Sequence, residues 1–450
     1  MGVKDQPCTQ VKITRLTTFR QKLYDCALKC QKDAQWELCD ALLTLGSQPN
    51  PAYLSQAPCF HRGWSSVYGA IEDGTQDTDW LFLYLLGLVE PGAGGIQYFA
   101  LDTSAWVRKS AVTVAERGYV HQATNAVKGG EVSVGYTYSF LTWVTAPRSS
   151  WALPVHEQRV KLTESTVDVA VQQVTWLSDQ RRTCAGIDIV AADGTYGTSH
   201  FLGPLRDQAR LGIVVRLAKH RVLRGVPPPR QPQQRGRNRR HGARFAFKDP
   251  STWPAPEEQV RFEDAQWGTV ELRRWNHLHE ERDWQTPFDV VHARVHLERA
   301  KPPDPVWLGW LPPHAILAVT QTPLEARFIW YAFQHRWAIE PQFRFRKQAL
   351  MWTRPRWLDP AACDRWTVLV DVAFWPLCLA RPVVADQPLP WQPPQARAQL
   401  TPARVLQSFS RYFPTVGTPA QAPQPRGKSP GWPTGRPRRH RPRCLALKKG

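Results

Sequence analysis

Apolar positions near the start of the chain recur at three- and four-residue intervals, in FRQKLYDCALKC and AQWELCDALLTLG. That period places them on one face of a helix. SQPNPAYLSQAP, rich in turn formers, interrupts the pattern. FHRGWSSVYGAIEDG and the strongly apolar TDWLFLYLLGLVE predict two more helices, so residues 1–90 form an N-terminal helical domain. After PGAGGI the pattern changes. QYFALD predicts a buried strand ending at Asp102. VTVAERGYVHQATNAVKGGEVSVGYTYSFLTWVTA predicts further strands, with Gly129-Gly130 as a hairpin turn. A helix follows from Thr163 or Glu164 to about Ser178. IDIVAAD is a second buried strand, ending at Asp193. GTYGTSHFLGPLRDQARLG is a turn and a helix, and IVVRLA is the next strand. This β-α-β order suits a sheet with helices packed on it.

Residues 219–248 break the pattern. They carry Lys219, Arg221, Arg224, Arg230, Arg235, Arg237, Arg239, Arg240, Arg244 and Lys248, and no acid. Their Pro, Gln and Gly content argues against a packed core. Two readings remain: a solvated loop, or a phosphate-tracking loop that orders on DNA. QVRFEDA, GTVELRRWNHLHE, FDVVHARVHLE and VWLGWL then predict a β-rich region up to residue 312. A long helix is predicted from Pro323 to about Leu350, either kinked or restarted at Pro341, which lacks a backbone donor. TRPRW ends it, and Asp359-Pro360 opens a second amphipathic helix. From residue 382 Pro dominates. LTPARVLQSFSRYF could form a short helix, and the basic end is expected to be disordered.

Composition narrows the partner. The formal net charge is +20, which favours a polyanion, nucleic acid first. The 21 Trp residues serve cores or base stacking. No apolar run is long enough for a membrane span. The nine Cys are scattered, with no C-x-x-C pair, which suits reduced cytosolic thiols better than a zinc site.

The chemistry centres on FQHRWAIEPQFRFRKQAL. Phe333, Arg336 and Lys347 lie seven before, four before and seven after Glu340. At about 100° per residue on a helix each of these positions falls within roughly 40° of Glu340. The spacing alone suits an ordinary surface ion-pair helix. Taken with the upstream aspartates, it resembles bacterial insertion-sequence DDE transposases that carry a Tyr-Arg-Glu-Lys signature. Here Phe333 stands where the family has Tyr, which keeps the ring and loses the hydroxyl. LDTS around Asp102 is similar to the family's first-Asp region. A strand ending at Asp193 followed by Gly-x-Tyr-Gly is similar to its second-Asp region; Asp188, inside the strand pattern, is the rival carboxylate.

The resemblance implies an RNase H-like α/β fold: a mixed sheet flanked by helices, with an N-terminal helical domain and a β-rich insertion. It divides the chain into a helical end-binding domain at 1–90, a catalytic core at 91–218 and 313–381, a basic loop and insertion at 219–312, and a basic tail at 382–450. It implies Asp102, Asp193 and Glu340 as catalytic metal ligands. Phe333, Arg336 and Lys347, with Arg237, Arg239 and Arg240 of the basic loop, are expected at DNA. A Trp of the insertion near a flipped base is implied too, with Trp275, Trp284, Trp307 and Trp310 as candidates.

Phosphoryl transfer suits such a site. Two Mg²⁺ ions roughly 3.5–4 Å apart clamp the attacking and leaving oxygens, and hard ions prefer carboxylate oxygen. Asp102 is expected to bridge the ions, with Asp193 and Glu340 holding one each; Mn²⁺ can substitute. The expected function is cut-and-paste DNA transposition on inverted-repeat ends and target DNA. The resemblance implies hydrolytic nicking, a hairpin intermediate and strand transfer within a homodimer that synapses two ends, while the residues themselves leave open whether a hairpin forms. Its expected place is the bacterial cytoplasm, at the nucleoid. The alternatives are a transposase-derived DNA-binding protein that no longer cuts, and a nuclease that never joins.

Overall fold

The computed structural model describes residues 6–90, 92–122, 131–146, 149–230, 236–296, 304–314, 325–424, 431, 434–435 and 442–447. The N-terminal helices are α1 (Gln6–Lys22), which runs on as a wider π turn over Leu23–Ala27, α2 (Lys32–Leu45), α3 (Ser65–Glu72) and α4 (Thr78–Leu86). Helix α1 therefore begins well before the periodic run at Phe19. The Asp77 side chain caps α4 by accepting from the Trp80 N–H.

The sheet holds 12 strands among the described residues. They are β1 (Ile96–Val107), β2 (Gly118–Gln122), β3 (Glu131–Val144), β4 (Ala152–Val160), β5 (Ile187–Ala192) and β6 (Leu211–Leu217). Beyond them come β7 (Val222–Arg224), β8 (Arg244–Ala246), β9 (Glu258–Asp264), β10 (Gly268–Glu280), β11 (Asp283–His296) and β12 (Val306–Leu311). Helix α5 (Thr166–Gln180) precedes β5, and the short α6 (Ser199–Leu202) follows it. After β12 come α7 (Ala326–Gln334), a 3₁₀ turn (His335–Ala338), α8 (Ile339–Gln348), α9 (Pro360–Ala380) and α10 (Pro402–Val416).

The heart of the sheet runs β4-β3-β1-β5-β6. β3 lies antiparallel to β1 and β4, while β5 is parallel to β1 and β6. This is the mixed order expected of an RNase H-like sheet, with helices on it. All six residues of β5 are buried, as expected for a central parallel strand covered on both faces. Asp188, inside β5, accepts two hydrogen bonds from Arg181 Nε, at 3.0 and 2.9 Å. It is a neutralised core carboxylate. The β-rich region adds to the same sheet, because β12 pairs antiparallel with β6 and β11 and β10 follow outward.

Two apolar clusters cover the sheet. One joins Phe19 and Trp36 of the N-terminal helices to Trp375 of α9 and Phe140 of β3. The other lies under α7 and contains Ile189, Val214, Trp310 and Phe333. Cys39 Sγ stands 3.7 Å from the Leu369 carbonyl oxygen, one direct link between α2 and α9. The Pro-rich stretch after 382 carries the helix α10, with Val405 and Phe409 buried. Residues near the end, expected to be disordered, are packed in part: the Cys444 N–H donates to the Val112 carbonyl at 2.8 Å. The Gly129-Gly130 turn and the start of the long helix at Pro323 lie outside the described residues. No helix among the described residues is long and apolar enough to cross a membrane.

Candidate active site

The last β1–β5 pair is Leu101↔Ala192. Asp102 and Asp193 are the next residues on each chain, so both emerge where the parallel ladder ends. Asp102 was expected to end its strand. Instead β1 continues to Val107 beside β3, and it is β5 that stops. The loop carrying Asp193 is tied down. Asp193 Oδ1 accepts the Thr195 N–H at 2.8 Å, and a Cβ on Gly197 would come within 2.4 Å of the Arg216 carbonyl oxygen of β6. Tyr196 of that loop is buried. Its phenol is pushed well up by burial and by the charges of Asp102 and Asp193. Sequence reasoning noted its Gly-x-Tyr-Gly motif without assigning it to the site.

Glu340 reaches the same place from the other side. Arg336 bridges the two carboxylates: Nη1 donates to Asp102 Oδ2 at 2.9 Å and Nη2 to Glu340 Oε1 at 3.1 Å. The second Asp102 oxygen accepts the Thr103 N–H at 2.7 Å. Burial and the charge of Asp193 raise Asp102 to about 7, against the pull of Arg336 and the Thr103 N–H, and Glu340 adds to the rise. Three carboxylates thus feel one another, and one guanidinium offsets part of the repulsion.

The helix over this stretch is interrupted, a few residues before Pro341, where a kink or restart was expected. α7 ends at Gln334 and the 3₁₀ turn intervenes before α8. A 3₁₀ turn advances faster per residue than an α-helix, so the one-face count fails for Phe333. Phe333, expected at DNA, is only 4% exposed in the cluster under α7. Its ring serves packing. Arg336 and Glu340 keep their i, i+4 contact. Lys347 is half-buried, 5.6 Å from the centroid of the Trp352 ring. It lines a cavity of about 420 Å³ with Thr103, Ser104, His121 and Thr353. Burial, then the neighbouring Arg346, lowers its ammonium below the usual range. Sequence reasoning missed Arg344, which is exposed four residues after Glu340; that i+4 spacing was the available signal.

Of the basic-loop residues, Arg237, Arg239 and Arg240 are exposed. The cations at the start of the segment are paired. Arg221 pairs with Glu280, Arg224 with Glu281 at 3.2 Å and Lys219 with Asp304 at 3.5 Å. Among the four Trp candidates, Trp275, Trp307 and Trp310 are buried, while Trp284 is 43% exposed. The Arg240 guanidinium stands 5.7 Å from the Trp284 ring centroid, a pairing of the kind that stacks bases.

The donor set fits a hard divalent ion in kind, since all three groups are carboxylates. Among the described residues no three His, Cys, Asp or Glu side chains converge on one point, and Arg336 stands between Asp102 and Glu340. An ion taken up here would replace the guanidinium between those oxygens. Arg336→Ala should therefore destabilise the metal-free protein by about 1.5–3 kcal/mol, the range for hydrogen bonds to charged groups. Added Mg²⁺ should raise the melting temperature of the variant more than that of the parent. Equal gains in a thermal-melt comparison would mean that the ion does not take the place of Arg336.

The family described as DDE superfamily endonuclease matches residues 22–278, more than half of the chain. The matched stretch holds Asp102 and Asp193 and ends before Arg336 and Glu340. No curated protein matches the chain.

Proposed function

Because the chain belongs to the DDE superfamily endonucleases, we propose that it is a DNA transposase that cuts and rejoins DNA at Asp102, Asp193 and Glu340. The observation that carries this reading is the Arg336 bridge between Asp102 and Glu340, with Asp102 and Asp193 each one residue beyond the last pair of adjacent parallel strands. These residues would hold two Mg²⁺ ions, which supply charge neutralisation and activation of the attacking oxygen. Arg336, released from the carboxylates, turns its planar fork to a DNA phosphate, a geometry that Lys cannot reproduce. Lys347 and Arg344 lie on α8 beyond Glu340 and neutralise neighbouring phosphates. Arg237, Arg239 and Arg240 track the duplex backbone. Trp284 is the insertion residue suited to stack on an unpaired base, because it is the exposed one of the four.

In cleavage, water attacks phosphorus, the bond to the 3′ oxygen breaks, and that oxygen leaves as a hydroxyl. The freed 3′ hydroxyl then attacks a phosphorus of target DNA, and the bond from that phosphorus to the target's 3′ oxygen breaks, leaving a target 3′ hydroxyl. Two ends must be held together for joining, which the proposal assigns to a homodimer. A second reading, a DNA-binding relative that no longer cuts, draws on one observation: Arg336 already occupies the carboxylates. The test uses duplexes carrying the inverted repeats that flank the gene, with Mg²⁺ and a target plasmid. Cut ends joined to the plasmid support transposition. Binding without cutting supports the second reading, and cutting without joining reduces the activity to a nuclease.

A further inference from the structure

A cavity of about 1270 Å³ opens between α1, the start of β1 and the end of α9. It is separate from the carboxylates. Tyr98 on its wall precedes Asp102 by four residues on β1, about 13 Å at ~3.3 Å per residue. Helix α1 presents Lys12, Arg15, Phe19 and Lys22 to it, four positions that fall within roughly 80° on a helix of about 100° per residue. Phe19 continues a run of rings. Tyr84 stacks on it at 5.9 Å, Trp375 lies 6.4 Å away on the other side, and Trp143 stacks on Trp375 at 6.4 Å. Trp143, at the end of that run, is only partly buried.

The charge around the rings is positive. Lys12, Arg15, Lys22 and Arg381 line the cavity together with two acids, Glu90 and Asp264. Glu90 is taken up by Arg15 at 3.0 Å, and the Lys22 ammonium stands 5.4 Å from the centroid of the Tyr84 ring. Stacking surface beside cations, with space between them, is the chemistry that receives a planar ring bearing a phosphate.

We propose that this cavity binds a nucleoside phosphate, with its base against the Trp143 wall and its phosphate at Lys12, Lys22 and Arg381. The source is either a free nucleotide or one unit of a single strand, for the recognised chemistry is the same. The site owes nothing to the cleavage reading, since neither metal nor the carboxylates enter it.

The test measures binding by the full chain in EDTA, where no metal-dependent cleavage occurs. The probes are AMP, a short fluorescein-labelled single strand, and the same strand made abasic. The natural strand should bind more tightly than the abasic one by about tenfold, because a stacked base contributes about 1–3 kcal/mol. Lys12→Glu with Lys22→Glu should weaken natural-strand binding about tenfold or more. The control pair Arg182→Glu with Arg206→Glu, which carries the same charge change outside the cavity, should leave it nearly unchanged. Trp143→Leu should remove the preference for the natural strand; a melt confirms that it is folded, and the Lys pair on the surface decides if it is not. Competition by AMP assigns the cavity to free nucleotides, and binding of the strand without such competition assigns it to a strand. Equal binding of natural and abasic strands overturns the proposal, as does a cavity pair no worse than the control pair.

Discussion

Asp102→Asn, Asp193→Asn and Glu340→Gln should each lower Mg²⁺-dependent cleavage by about a thousandfold or more, with DNA-end binding nearly unchanged. Metal charge stabilisation in phosphoryl transfer contributes several kcal/mol, and each ~1.4 kcal/mol is a factor of ten in rate. The amide variants keep shape and remove only the ionised oxygen. Stability separates the three. Asp102 is half-buried, and its carboxyl is pushed up to about 7 by desolvation and the charge of Asp193 despite Arg336; the charge there is disfavoured in the folded protein. Asp102→Asn should accordingly leave the metal-free melting temperature unchanged or raise it, even as cleavage is lost. A stabilised but inactive variant is the signature of a site shaped for function over stability. Cleavage close to the parent rate in any one of the three would remove that residue from the site.

What could be seen in advance depended on how local the signal was. The strand end at Asp193 was legible because β5 is covered on both faces, which leaves a run apolar except for Asp188 that stops just before Asp193. The strand holding Asp102 was found but cut short. TSAWV after it mixes polar and apolar residues, and only the pairing with β3 keeps it extended. Counting offsets from Glu340 worked for Arg336, four residues away, and failed for Phe333, beyond the 3₁₀ turn. The start of α1 was missed because QPCTQVKITRLTT is polar and β-branched; a helix there draws its stability from packing on the rest of the molecule. The basic segment looked uncompensated because its acids, Glu280, Glu281 and Asp304, lie far away in sequence.

Arg346 illustrates the same limit and has the largest expected effect on stability. It sits one position before Lys347, and nothing in the local sequence FRFRKQ marks it as buried. In the structure it is fully buried, 3.0 Å from Glu157 of β4 and 2.6 Å from Asp371 of α9. Its guanidinium lies 4.5 Å from the Phe140 ring centroid and 5.1 Å from that of Trp352. Two acids share one cation in an apolar interior. Burial and the charge of Asp371 push Glu157 well above the carboxylate range, so the group is close to neutral when one acid keeps its proton. Arg346→Met should destabilise the fold by about 3–5 kcal/mol, the usual result of removing one partner from a buried ion pair. Adding Glu157→Leu and Asp371→Leu should recover most of that loss, since an apolar replacement of the whole group removes the desolvation cost along with the attraction. Denaturant unfolding of the single and triple variants checks both steps. Helix α8 carries Glu340 as well as Arg346, so the triple variant has a second use. If it regains stability while its half-saturating Mg²⁺ concentration for cleavage rises several-fold, the buried ion group positions Glu340. If stability and Mg²⁺ dependence both return to those of the parent, Arg346 holds the helix only as any well-packed side chain would.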